Sequence, residues 1–223
     1  MDTASESIVH ALASVEPFKR LSASERRYLA SVAREKRYAK GETVFREGQP
    51  AESVCVVTEG RVHLMKFLEG GQASTTCVMT KGETFCCLPA LDRKPYPADA
   101  VAAVDSVVVR IPTSAFHELL ARNPIFLQDS LCLFCDRLRQ VEQKSCMIYD
   151  SVERRLAQAL LTLSKKFGNT IPLTKHELAE LANTTVETTI RVLSHLKKDG
   201  IIKSSRGSTT IVKPSSLEDL TTA

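Results

Sequence analysis

In the middle of the chain apolar residues recur at steps of four and three: Leu127, Leu131, Phe134, Leu138, Val141, then Ser145 as the one polar member, and Ile148. Pro124 opens this stretch, and neither Pro nor Gly interrupts it before Gly168. A heptad seam of this length predicts a long helix that pairs with its own copy. The seam is narrow and flanked by Asp136, Arg137, Arg139, Glu142 and Lys144, which favours that reading over a helix packed only on its own domain. The front of the chain follows a different pattern. β-Branched runs lie at 43–46 (TVFR), 53–58 (SVCVVT), 61–67 (RVHLMKF), 73–79 (ASTTCVM) and 106–111 (SVVVRI). Gly41, Gly48, Gly60, Gly70, Gly71 and Gly82 are spaced among them, while none occurs from 83 to 167. Short strands joined by turns predict a small antiparallel roll or barrel. Ahead of it, Ser22 and Glu25 form a capping-box pair that opens a predicted helix, SASERRYLASVAREK.

Behind the seam the pattern is helical again. Asp150 or Ser151 can cap VERRLAQALLTLSKKF, whose inner stripe is Val152, Leu156, Leu160 and Leu163 and whose end is marked by Gly168. Thr174 and Glu177 make a second capping box before KHELAELA. Asn183 suits a left-handed turn, and Thr185 can cap VETTIRVLSHLKK, which Gly200 ends. Two short helices across so tight a turn form a helix-turn-helix. IIKSSR, a turn at Gly207 and Ser208, and TTIVK then read as a hairpin, completing a winged helix.

Periodicity assigns the faces of the second helix. Thr189, Val192, Leu193 and Leu196 must face the core, which leaves Glu187, Ile190, Arg191 and Ser194 outward. Arg191 has the fork to take guanine O6 and N7, Glu187 can accept from a cytosine amino group, and Ile190 suits a thymine methyl. In isolation, Glu187 and Arg191 would equally be a solvated pair worth a few tenths of a kcal/mol. Within a helix-turn-helix followed by a wing, contact with double-stranded DNA is the better account. Thr185 and Thr188 lie at the start of this helix, and Lys175, Lys197, Lys198, Lys203, Arg206 and Lys213 supply charge for phosphates.

Composition narrows the classes further. The chain has 223 residues, 43% hydrophobic and 25% charged, as in a globular protein of one large or two small domains. That excludes general disorder. No apolar run approaches the roughly 20 residues of a membrane helix. The opening MDTASESIVHALASVEPFKR lacks the basic start and apolar block of an export signal. Seven cysteines, an odd number, then point to reduced thiols in the cytoplasm. A net charge of +4 is too mild to establish a polyanion partner by itself. An enzyme is not expected: there is no nucleophile–base pairing and no phosphate-cradling glycine loop, and for a cupin-like metal site only His63 lies among the strands.

These stretches resemble the Crp/Fnr family of bacterial transcription regulators over nearly the whole length. The resemblance is carried by GETVFREGQPAESVCVVTEGRVHL, KGETF, SVVVRIP, the helix after Asn123-Pro124, and LTKHELAELANTTVETTIRVLSHLKKDGII. It implies an α+β fold: a β-roll of cyclic-nucleotide-binding type with an N-terminal helix over 1–123, a dimerisation helix over 124–149, and a winged helix-turn-helix over 150–223. It also implies a homodimer on an inverted-repeat DNA site, with RNA polymerase as a further partner. Glu187 and Arg191 match the family's base-reading pair. Val186 stands where the cyclic-AMP-responsive branch has another base-reading Arg, and Val-Glu-Thr fits the fumarate-nitrate type better. That type has Ser where this chain has Ile190. A module that binds a cyclic nucleotide without DNA is the alternative, but no further domain is left for it to control.

For the effector, the resemblance directs attention to Glu83, Phe85, Cys86, Cys87, Tyr96 and Ala98, with Cys132 and Cys135 on the long helix. Where the cyclic-AMP branch holds the phosphate with Arg-Ser, this chain has Tyr96-Pro97-Ala98, and Val141 and Glu142 stand where that branch contacts the purine, so cyclic AMP is not expected. The iron–sulfur branch needs an N-terminal cysteine cluster. Here no cysteine precedes Cys55, and Val109 replaces the ligand in the roll. Cys86, Cys87, Cys132 and Cys135 could meet to hold a metal or cluster or form a redox disulfide, or each could be a small buried hydrophobe. Haem would use His10, His63, His117 or a cysteine, though the histidines are scattered. A small metabolite is equally open. Any such signal would act by shifting the helix pair, with a hinge near residues 149–151, because DNA demands half-sites roughly 34 Å apart.

Overall fold

In a computed structural model, which describes residues 3–67, 73–146 and 150–222, the β-branched runs pair into two four-stranded antiparallel sheets. The chain begins with α1 (Thr3–Leu12), a 3-10 turn (Phe18–Arg20) and α2 (Ala23–Val32). Then follow β1 (Arg34–Tyr38), β2 (Thr43–Phe45), β3 (Ser53–Glu59), β4 (Arg61–Phe67), β5 (Ala73–Thr80) and β6 (Thr84–Phe85). After α3 (Cys87–Asp92) come β7 (Asp99–Ala102), β8 (Ser106–Pro112), α4 (Thr113–Arg122) and the long α5 (Pro124–Cys146). The remaining elements are α6 (Val152–Phe167), β9 (Thr170–Ile171), α7 (Lys175–Leu181), α8 (Val186–Lys198), β10 (Ile202–Ser205), β11 (Ser208–Ile211) and α9 (Pro214–Thr222). They divide into two units, Met1–Lys66 with Thr76–Val141, and Phe67–Thr75 with Glu142–Ala223.

The first unit is the expected roll. One sheet runs β1-β8-β3-β6 and the other β2-β7-β4-β5. Cys55, Val57 and Val108 of the first sheet share a core with Val44, Phe45, Val62, Ala100 and Ala102 of the second. The alternate residues Val54, Val56, Val109 and Ile111 face outward into a second core built by the helices. β3 and β8 are thus apolar on both faces, which is why their sequences run without alternation. Gly60 is required between β3 and β4: its φ is +80°, and a Cβ there would overlap the Asp105 carbonyl and Ser106.

The first helix after the cap is shorter than its sequence predicts. Ser22 and Glu25 do close the capping box. The predicted run nevertheless breaks after Val32, and Arg34–Tyr38 extend to pair with β8, Arg34 opposite Arg110 through Tyr38 opposite Ser106. Ladder bonds to a strand some 70 residues away override the local helical preference of REKR, and its exposed charges blunt the edge of the sheet.

α5 carries two stripes. Phe126 and Ser130 are buried, and Phe126 stacks into an aromatic group with Phe18 and Phe116 at centroid distances of 5.6 and 5.3 Å. Asp129 accepts two hydrogen bonds from the Arg20 guanidinium. The other stripe, Leu127, Leu131, Leu138 and Val141, is exposed. Phe134, the remaining apolar member of the predicted seam among the described residues, is half-buried and packs with Leu133 against its own unit's core. Ile148 lies outside the described residues, as do the Ser145 side chain and Tyr149 of the expected hinge.

Candidate nucleic-acid interface and effector region

The second unit assembles the helix-turn-helix from locally capped pieces. Ser151 caps α6 by accepting from Arg154 N, and Gly168 ends it at φ +73°. The box of Thr174 and Glu177 opens α7, and Asn183 turns the chain at φ +49°. Thr185 caps α8 by accepting from Thr188 N at 3.1 Å. Leu156, Leu160, Leu163, Leu178, Leu193, Leu196, Ile202 and Ile211 are all buried beneath these helices and the hairpin. β10 pairs with β11 as expected, and β9, which has no strong sequence signal at two residues, adds a third strand.

α8 divides as its periodicity requires. Thr189, Leu193 and Leu196 are buried, and the Thr189 hydroxyl donates to the Thr185 carbonyl at 3.0 Å. Glu187, Ile190, Arg191 and Ser194 are exposed together on the opposite face. Ile190 is 41% exposed, an apolar side chain only partly covered by its neighbours. The Ser194 hydroxyl donates back to the Ile190 carbonyl at 2.7 Å, so it offers lone pairs outward rather than its proton. Thr188 is half-buried, and its hydroxyl accepts from that of Thr185. Lys175, Lys197, Lys198, Lys203 and Lys213 are exposed, and Arg206 stands at the hairpin tip beside Gly207.

In the roll, the side chains singled out for an effector engage one another beside a cleft of about 280 Å³ lined by Phe45, Gln49, Glu52, Tyr96 and Arg110. Tyr96 stacks on Phe45, with ring centroids 3.8 Å apart and planes 15° from parallel, and Phe85 lies 6.0 Å from Phe45. The Tyr96 hydroxyl donates to the Ser53 carbonyl at 3.0 Å and accepts from Ser53 N at 3.3 Å. Ala98 is buried nearby in sequence. Glu83 closes the turn before β6: its carboxylate accepts from the amide and hydroxyl of Thr80, both at 2.8 Å. Sequence reasoning missed Arg137, which reaches from α5 to donate to the Thr84 carbonyl at 3.0 Å, with the sulfurs of Cys77 and Met79 at 3.4 and 3.5 Å. Its place at i+11 from Phe126, on the buried stripe, is the signal that could have found it.

The thiols do not converge as one of the readings of the sequence required. Cys87 is buried, Cys86 half-buried in the left-handed conformation at φ +63°, and Cys132 and Cys135 are exposed on α5. Among the described residues no three His, Cys, Asp or Glu side chains form a group able to hold a metal. Burial pushes Cys55 up to about 11, Cys87 to about 12 and Cys86 well above the ordinary thiol value, against the opposing pull of Arg137 or Arg110. They are protonated at neutral pH and behave as small hydrophobes. With two of its thiols exposed on α5 and no ligating group of three formed among the described residues, a cluster held by Cys86, Cys87, Cys132 and Cys135 does not fit this arrangement. Of the histidines, His10 is exposed, His63 is buried in β4, and His117 is bonded to the Ala90 carbonyl. An open cleft of about 540 Å³ lies against Arg93, Lys94, Thr113, Ser114 and His117.

No described helix is long and apolar enough to cross a membrane. The family model for the cyclic nucleotide-binding domain matches residues 35–123, and that for the Crp-like helix-turn-helix domain matches residues 154–220. The chain is 28% identical over 185 residues to the cyclic AMP receptor protein of Thermus thermophilus, spanning 82% of this chain and 86% of that protein. It is 26% identical over 212 residues to the nitrogen fixation regulation protein FixK of Bradyrhizobium diazoefficiens, spanning 91% and 88% respectively. The fold is shared with FixK2 from Bradyrhizobium japonicum at a TM-score of 0.79 and 23% identity, over 86% of this chain and 98% of that one.

Proposed function

Since the chain belongs to the Crp/Fnr family of DNA-binding transcription regulators, we propose that it acts as a homodimer that reads an inverted-repeat site through Glu187, Ile190, Arg191 and Ser194. The observation that carries this is the face of α8, where one apolar and three polar side chains stand exposed together above a buried Thr189, Leu193 and Leu196. Thr185, Thr188 and Lys175 flank that face, and Arg206 at the wing tip supplies a phosphate contact. The exposed stripe of Leu127, Leu131, Leu138 and Val141 is the seam to the second copy. RNA polymerase is the partner addressed once the dimer is on DNA, and the cytoplasm is where the protein works. The test is selection from a randomised duplex library with the full-length protein. An inverted repeat with half-site centres about one helical turn apart is expected. Recovery of single half-sites, or of no sequence, would sink this reading.

The roll is proposed to regulate without cyclic AMP. That ligand's phosphate needs a cation and hydroxyl at the segment where this chain places Tyr96-Pro97-Ala98, and Tyr96 is already committed to Phe45 and Ser53. Calorimetric titration with cyclic AMP is expected to give no saturable heat, and a stoichiometric isotherm would overturn the assignment. An absorption spectrum of protein purified without oxygen, with metal analysis, separates haem and an iron–sulfur cluster from a colourless protein controlled by thiol chemistry or an organic ligand.

A further inference from the structure

The first turn of α6 holds two adjacent arginines, Arg154 and Arg155, at the positive end of the helix dipole, where cations are disfavoured. Each guanidinium turns away to find carbonyls. Arg155 donates from Nη1 to the Asp150 carbonyl at 2.7 Å, from Nε to the Ala182 carbonyl at 2.8 Å, and from Nη2 to the Asn183 carbonyl at 3.3 Å. Ala182 is the C-cap of α7, and Asn183 is the left-handed residue of the turn into α8. One planar group therefore covers the negative end of α7 and binds it to the residue that leads into α6. Arg154 holds the same residue from another side. Its Nη1 lies 3.4 Å from the Asp150 carboxylate, while Nε and Nη2 both donate to the Thr221 carbonyl of α9, at 3.1 and 2.6 Å.

We infer that Arg155 is the positioning residue that fixes the recognition helix relative to Asp150, just ahead of α6, and so sets the half-site spacing the dimer accepts. The inference rests on the proposed reading of a dimer on an inverted repeat. Apolar packing of Leu178, Leu193 and Leu196 holds α7 and α8 in place, yet it has no directional bond to stop a small slide. The carbonyl bonds of Arg155 do. A two-fold site reads the position of α8 twice, so a slide within one unit is doubled across the dyad. Lysine cannot replace the fork, because its single donor centre cannot serve three carbonyls in one plane.

The test uses full-length wild type, Arg155→Lys and Arg155→Gln. The probes are the inverted repeat recovered by the wild type, the same duplex with one base pair inserted or deleted at its centre, and the same duplex with one contacted base changed. Arg155→Lys is expected to bind the correctly spaced duplex about tenfold more weakly, the worth of one charge-assisted hydrogen bond. Its discrimination against altered spacing should shrink by a similar factor, while its penalty for the changed base stays at the wild-type value. Arg155→Gln should relax spacing further, and both should sediment and melt cooperatively like the wild type. A strict wild type with equally strict variants overturns the inference alone, as does loss of base discrimination in step with affinity, which would mean a distorted recognition helix. A wild type that ignores spacing overturns the dimer reading and this inference together.

Discussion

Arg191 projects from a helix whose buried side is fully accounted for, so its guanidinium is available to a partner and its loss leaves the fold alone. Arg191→Ala is expected to cost about 1–3 kcal/mol of operator binding and to relax preference at one base pair; anisotropy titrations on the selected duplex and its single-base variants measure both. The cysteines make an opposite case. Cys55 and Cys87 hold their protons to about 11 and about 12 because they are buried, whereas an unfolded thiol ionises near about 8.5. Their folded values are raised, so this contribution to stability is intact below about pH 8.5 and is lost as the pH rises towards the folded values. Thermal melts in alkaline buffer should show that decline, and it should diminish in Cys55→Ala. At neutral pH a water-soluble disulfide reagent should label Cys132 and Cys135 before Cys55 and Cys87, as peptide mapping would show.

At the scale of elements, α5 serves two surfaces from one helix. Phe126, Ser130 and Arg137 face its own roll, while Leu127, Leu131, Leu138 and Val141 are exposed. Leu138→Asp is expected to leave the roll folded and to yield monomers in sedimentation; a stable dimer would refute the seam. Phe134→Asp is a poorer probe, because it buries a carboxylate against the helical core and should lower the melting temperature as well. The heptad pattern does not reveal that Phe134 also packs on its own core, since a 3.5-residue period cannot tell which of two neighbouring stripes meets which partner. The helix-turn-helix was legible almost to the residue because its information is local: a cap at Thr174, a left-handed Asn183, a cap at Thr185 and an apolar stripe of period 3.6. β1 was not, because its charged sequence becomes a strand only through β8. Glu83 was legible as part of a motif but not in its task, which is to close a turn on Thr80. Arg155 gave only an indirect sign, a cation at the wrong end of a helix dipole.

For the molecule as a whole, a net charge of +4 hides an uneven placement. Six exposed cations (Lys175, Lys197, Lys198, Lys203, Arg206 and Lys213) lie in the helix-turn-helix and wing. If three per half-site meet phosphates, the logarithm of the binding constant should fall with the logarithm of salt at a slope of about −5, and Arg206→Ala should reduce that slope by about 1 per half-site. An affinity that ignores salt would remove the phosphate contacts from the account. The two stripes of α5 also bear on what happens when several regulators of this design share a cell. Subunits of different paralogues meet as they are made, and mixed pairs would address hybrid operators. Because the residues that face the roll form a different stripe of α5 from Leu127, Leu131, Leu138 and Val141, the proposed seam would let partner choice diverge by exchanging those four positions while the roll stays as it is. Gene duplication can therefore yield an insulated circuit before it yields a new signal.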